Sequence, residues 1–144
     1  MFLSSVTDRG AMPALVKTMV YNQARLKMIG ENVANAHTPG YRTKRLDKGA
    51  FQQALKGALR SRGDNRSKPF AVKVDGELQT DRHGHLHVTP ADKPVENILF
   101  HDGTNLSIER QMADLAETGM MNELATMLLR GRFEGLRKAI RGTV

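Results

Sequence analysis

Cysteine is missing from this 144-residue chain, and so is tryptophan. The first absence excludes a disulfide framework and a thiolate metal centre, yet leaves the redox compartment open, because a protein outside the cytoplasm need not carry disulfides. The second, with aromatics at only 5% of residues, argues for a lean core. Much of the 40% apolar content is Ala, Met and Leu, which suit helix seams better than a thick globular centre, so an elongated subunit is expected. No apolar run approaches the length of a membrane span. Met1 to Gly10 shows no charged leader followed by an apolar run and a small-residue cleavage site, so any exit from the cytoplasm is expected to proceed without a cleaved signal. A set of nucleophile, base and orienting group is also missing, as is a Gly-rich phosphate loop. Asp114 and Glu117 fall where a solvated helix face is expected, and no catalysis and no cofactor are anticipated.

What the chain does have is positive charge, formally +7 with a pI near 10.1. Such a surplus suits nucleic acid, an anionic membrane surface or an acidic protein neighbour, and does not choose among them. It also has hydrophobic periodicity. From Met12 to Val33 the apolar residues Met12, Leu15, Met19, Leu26, Ile29 and Val33 recur in alternating steps of three and four, with Asn22 the one polar interruption. A stripe this narrow needs a partner. The other end of the chain offers one, where Ser107 is placed to cap a helix to about Arg141 carrying Ile108, Met112, Leu115, Met120, Leu124, Met127, Leu128, Phe133, Leu136 and Ile140. Gly119 and Asn122 interrupt this second stripe. Gly119 costs about 1 kcal/mol relative to Ala in a helix interior, so it either permits close approach of another helix or weakens the segment. The two ends are expected to pair with each other or with other subunits, and the Met-rich seams to be adaptable core.

Between them, Asp47 to Arg60 reads as a short helix with Phe51, Leu55 and Leu59 on one face, followed by a polar, basic linker from Ser61 to Lys68. Phe70, Val72 and Val74 alternate with polar or small residues, and Asp75-Gly76 suits a two-residue type I′ turn before Leu78 and Thr80. Residues 85–88 can add a short strand, and Thr89 to Asn105 reads as loop. The expected fold is therefore mainly α. Long N- and C-terminal helices form a coiled-coil-like pair or bundle, with a short middle helix and a small β-hairpin segment. Its parts are 1–45, 46–106 and 107–144 within one structural unit.

The best specified local chemistry lies in Glu31 to Tyr41. Thr38-Pro39-Gly40-Tyr41 meets the demands of a type II turn, with Pro39 fixing φ at the second position and Gly40 free to take positive φ at the third. The helix must end here. Asn32 and Asn35 become candidate caps, Asn35 through the left-handed conformation that often closes a helix. The turn either simply terminates the helix or also fixes the angle at which the outer segment leaves it.

Two further clusters have a sharp and an ordinary interpretation. His83, His85 and His87 would share one face of a strand with Asp81 in phase, a metal-like set, although three ligands on a flat strand splay apart and solvated histidines are commoner. Arg130, Arg132, Arg137, Lys138 and Arg141 crowd the end of the last helix, where they complement its dipole and pair around Glu134. Joined to Arg60, Arg62, Arg66 and Lys68 they would make a phosphate track, but no aromatic stacking platform accompanies them, so no nucleic-acid partner is expected.

An amphipathic helix running into NVANAHTPGYR at Asn32 to Arg42, with a second long amphipathic helix at the opposite terminus, resembles the rod, hook and filament-axis family of bacterial flagellar proteins. The ANxxTPGY pattern, here Ala34, Asn35, Thr38, Pro39, Gly40 and Tyr41, carries the likeness. Leu46-Asp47 with Phe51 and Leu55, Thr80 with His85-Leu86, Asp102-Gly103 and the segment from Glu109 to Ile140 extend it to nearly the whole chain. His37 and Asn122 depart from the family pattern. The resemblance implies a structural subunit of the proximal rod of the flagellar basal body, polymerising through its terminal helices into an axial drive shaft across the periplasm. It also implies type III export and, as partners, other copies of the chain, other rod subunits, the adaptor at the base of the rod and the export gate. Residues expected to carry it are Asn32, Ala34, Asn35, Thr38, Pro39, Gly40 and Tyr41 for the turn. Leu15, Met19, Leu26, Ile29, Val33, Ile108, Met112, Leu115, Leu124, Leu128, Phe133, Leu136 and Ile140 are expected to form subunit contacts. Another short rod subunit, or a basic helical module that binds nucleic acid, is the alternative.

Overall fold

The computed structural model describes residues 10–63, 70–74, 76–92 and 108–142. Its elements run α1 (Met12–Ala34), α2 (Lys48–Arg62), β1 (Leu78–Thr80), β2 (Leu86–Val88) and α3 (Ile108–Arg141). The fold is mainly helical, with the long terminal helices packed together and one small antiparallel hairpin.

Each helix starts where local chemistry allows it. Pro13 lies in the first turn of α1, where a missing N–H costs nothing. Asp47, the predicted first residue, caps α2 by accepting the Ala50 N–H at 2.9 Å, and the helix runs on past Arg60 to take in Ser61 and Arg62 of the predicted linker. Gly63, at φ +47°, then closes α2. The expected Ser107 cap of α3 lies outside the described residues, as do most of the predicted linker and of the loop before α3.

The hairpin pairs Leu78 with Val88 and Thr80 with Leu86. Of the predicted type I′ turn, Asp75 lies outside the described residues and Gly76 has the positive φ required, +78°, but the loop is longer than a two-residue hairpin. Val74 pairs with Leu78 through reciprocal backbone bonds of 3.0 Å, so three residues separate the partners rather than two. Val72 also runs beside β1, held by the Thr80 hydroxyl, which accepts from the Val72 N–H at 3.0 Å and donates to its carbonyl at 2.9 Å. A side chain thus does the work of a ladder rung.

The core sits between α1, α2 and the hairpin. Tyr21, Met28 and Ile29 of α1 meet Leu46, Phe51, Phe70, Val72, Leu78 and Leu86, with the Tyr21 and Phe51 rings stacked at 4.0 Å. Each such apolar side chain contributes about 1.5–3 kcal/mol by leaving water. Lys17, buried on the same helix, donates to the Gly84 carbonyl at 2.8 Å and ties the hairpin loop to α1.

Helix α3 lies antiparallel along another side of α1. The Asn32 amide reaches Gln111, and Arg25 pairs with Asp114 at 2.9 Å and with Glu117 at 3.8 Å. Ala11 and Met12 lie beside Gly131, Arg132, Gly135 and Leu136 at the far end. What α3 presents to α1 is small and polar, with Thr118 and Ala125 its buried residues. Of the two roles open to Gly119, close helix approach does not hold within the chain, since a Cβ there would meet nothing within 4 Å.

Candidate assembly surface and the turn beside it

Helix α1 ends at Ala34 and the chain turns back on itself. Asn35 caps it, but not by the expected route. Its φ of −102° lies outside the left-handed region, and its side chain instead joins its own N–H in donating to the Glu31 carbonyl, at 2.8 and 3.1 Å. With both Asn35 groups on that carbonyl, and Ala36 donating to Val33, no left-handed residue is required. The type II turn is present. Tyr41 N–H donates to the Thr38 carbonyl at 3.2 Å, and Gly40 has φ +75°. Ala34, Thr38, Pro39 and Gly40 are exposed, so the tip itself faces solvent.

Asn32 is the anchor beneath it rather than a cap. Fully buried, it donates to the Lys44 carbonyl at 2.9 Å, while its oxygen accepts the Lys44 N–H and the Tyr41 hydroxyl, both at 3.0 Å. Its amide also approaches the Gln111 oxygen at 3.5 Å. One side chain therefore joins α1, the returning segment and α3. Sequence periodicity did not expose this role, although the placement of Asn32 nine residues before a turn tyrosine is a usable signal. A surface pair between Lys44 and Glu31 at 3.0 Å runs alongside and raises the Lys44 pKa. Glu117 is a second junction. It receives the Lys48 ammonium, with Arg25 beyond, and these cations hold its carboxyl below the usual carboxylate range.

The α1 seam is largely absorbed within the chain: Ile29 is buried, and Leu15, Met19, Leu26 and Val33 are half-buried. The named residues of α3 behave differently. Leu115 packs against the core and Leu136 is half-buried, whereas Ile108, Met112, Leu124, Leu128, Phe133 and Ile140 are exposed, as are Met120 and Met127. Met120, Leu124 and Met127, at 65%, 53% and 67%, form a row in steps of four and three on the side away from Thr118 and Ala125. Single exposed apolar residues are ordinary on protein surfaces, but an aligned row of large ones on one helix marks an interaction face.

The histidine cluster differs from the expected flat face. His83 sits in the turn between the strands rather than on a strand, where Gly84 N–H donates to the Asp81 carbonyl at 3.1 Å, with its ring 6.3 Å from that of His85. Asp81 accepts the backbone N–H groups of His83 and His85, both at 2.8 Å, and its second oxygen lies 3.3 and 3.4 Å from the rings of His85 and His87. These donors, the His85 N–H foremost, push the Asp81 carboxyl far below its ordinary pKa. The imagined phosphate track also loses a member. Arg62 is buried, its guanidinium 5.9 Å from the Phe70 ring centre, while Arg66 and Lys68 lie outside the described residues. Among the described residues, no helix is long and apolar enough to cross a membrane.

Comparison with known proteins follows this geometry closely. The family model described as flagella basal body rod protein matches residues 12–42, which are α1 and its turn. Three relatives share the name flagellar basal body rod protein FlgB. Those of Salmonella typhimurium and Aeromonas hydrophila are 22% and 24% identical, each over 82% of this chain and 83% of the relative. That of Bacillus subtilis is 22% identical over 92% of this chain and 95% of its own. No solved structure matches. The family match on α1 and its turn, with three relatives aligned over more than four-fifths of the chain, supports its place among the flagellar basal body rod proteins, with rod protein B as its counterpart.

Proposed function

We propose that this chain is a structural subunit of the proximal rod, built into the axial shaft through its terminal helices. Residues 1–45 and 107–144 supply the axial helices, and residues 46–106 form the segment beside them, in one structural unit. Its neighbours in this reading are other copies of itself, other rod subunits, the adaptor at the base of the rod and the export gate. Its task is mechanical, and no reaction is assigned to it. The supporting observation is the row Met120, Leu124 and Met127, which faces away from α1 and is left for another helix to cover. The turn at Thr38 to Tyr41 sets where the outer segment leaves the shaft.

The row can be tested directly with Leu124→Glu combined with Met127→Glu in the full chain. Both positions are exposed, so monomer stability is expected to stay within roughly 0.5 kcal/mol per site of wild type. Cells carrying the variant are expected to be non-motile, and their isolated basal bodies to lack a rod. Normal rods built from the doubly charged subunit would refute the proposed face.

A further inference from the structure

Among the described residues, two buried amide atoms lack a hydrogen-bond partner: Nδ2 of Asn22 and Oδ1 of Asn122. One is a donor and the other an acceptor. They are also the two polar residues that interrupt the apolar stripes of α1 and α3. The antiparallel register brings them together. Ten residues back from Asn32 and ten on from its contact Gln111, Asn22 comes level with Met121 and Asn122. The apposition of Ala11 and Met12 with Gly131 and Arg132 at the far end gives the same level. Met121 points outward at 45% exposure, whereas Asn122 lies in the buried stripe between Thr118 and Ala125, at 1% and 4%.

We propose that Asn22 and Asn122 form an interhelical amide pair that fixes the register in which α1 accepts α3. Rotation of the two side chains brings the orphaned donor onto the orphaned acceptor, and each then satisfies a group that would otherwise be costly to bury. The pair would add to a register that otherwise rests on Leu115, on the partly exposed ion pairs of Arg25 and on the long Asn32–Gln111 contact. Thr118 and Ala125 are small and do little to fix a register by shape. A polar pair in an apolar seam rejects slips of register, because every other register leaves both amides unpaired. In a rod crowded with similar helices, it would also favour an α3 that carries this asparagine over the helices of subunits that lack it. That last consequence alone rests on the rod assignment.

The test uses the free full-length chain, so it succeeds or fails independently of rod assembly. With no native cysteine, Asn22→Cys with Asn122→Cys is expected to give an intramolecular disulfide under mild oxidation, whereas Asn22→Cys with Met121→Cys is not. Either Asn→Leu single variant is expected to raise the unfolding constant about tenfold, and the double variant to return within about threefold of wild type. In that double background, Met19→Cys is expected to cross-link with Thr118→Cys or Arg132→Cys as well as with Ala125→Cys, its level partner, which alone reacts when both asparagines are present. A cross-link only between separate chains, additive losses in the two single variants, or a register that stays unique without the asparagines would each overturn the proposal.

Discussion

Replacing Tyr21 with phenylalanine should stabilise this protein. Tyr21 is 2% exposed, its ring lies parallel to Phe51 at 4.0 Å, and its hydroxyl is buried with no hydrogen-bond partner among the described residues. The stacking survives the substitution, because phenylalanine presents the same ring. What is removed is an unpaired polar group whose burial costs about 1–3 kcal/mol, against a small void worth less than about 1 kcal/mol. The expected net gain is about 1–2 kcal/mol, or a rise of about 3–6 °C in Tm for a chain of this length. The same burial, with Glu77 and Asp47 adding to it and Arg25 opposing, pushes the phenol up to about 12. The folded state therefore holds the proton more tightly than the unfolded chain. Stability from this source is complete below pH 10 and falls as pH rises towards 12, by up to roughly 2.7 kcal/mol at about 1.36 kcal/mol per pKa step. The Tyr21→Phe variant has no such limb. Its advantage should thus widen between pH 8 and pH 11, with Tyr41 cancelling because both proteins keep it. Urea melts of both proteins at pH 7, 8 and 11 provide the comparison. A variant less stable than wild type at pH 7, or an advantage that fails to grow with pH, refutes the reasoning.

Other perturbations follow from the turn and the hairpin. Asn32→Ala strands the Lys44 N–H and carbonyl and frees the Tyr41 hydroxyl, so a loss of about 2–4 kcal/mol is expected in denaturant melts. A Cβ at position 40 meets nothing within 4 Å, but Gly40→Val must adopt φ +75°, so a conformational cost of about 1–2 kcal/mol is expected, and Gly40→Asn should lose much less. Asp81 has a depressed pKa in the fold. Its contribution is present above the unfolded value near pH 4 and is lost as pH falls through the folded one. Asp81→Asn should accordingly melt lower than wild type at pH 6, with the gap closing as pH falls below 4. A gap that stays constant across that range would rule out the carboxylate as its source.

Much of this architecture is legible in the residues because local and global demands agree. The three-and-four spacing from Met12 to Val33 marks α1, Asp47 marks the start of α2, and Thr38-Pro39-Gly40-Tyr41 specifies its turn almost residue by residue. What periodicity misses is partnership. The burial of Asn32 depends on where Lys44 returns, and beside the Val74 to Leu78 pairing it is the Thr80 side chain that holds Val72, neither of which leaves a repeating signal. Asn35 shows the same limit: the left-handed conformation expected of it is not the one it takes, because its side chain closes the helix on the Glu31 carbonyl.

Helix α3 is the instructive failure of apolar counting. Its large side chains point one way and its packing points another, because α1 has already committed one face to the hairpin and α2 and offers α3 only a narrow strip beside it. Small residues fit that strip. Between the helices, Arg25 meets Asp114 and Glu117, whose side chains are 35% and 42% exposed, and pairs in that setting are worth only about 0.2–1 kcal/mol each. The intramolecular grip on α3 is therefore weak for a helix of 34 residues. On the proposed rod assignment this weakness has a use. A helix held loosely by its own chain and carrying Met120, Leu124 and Met127 outward gains most of its burial from neighbours, so assembly and completion of the fold become one step. Amide exchange separates the alternatives: in the free subunit protection along α3 should fall well below that of α1, and it should rise to match only in the assembled rod.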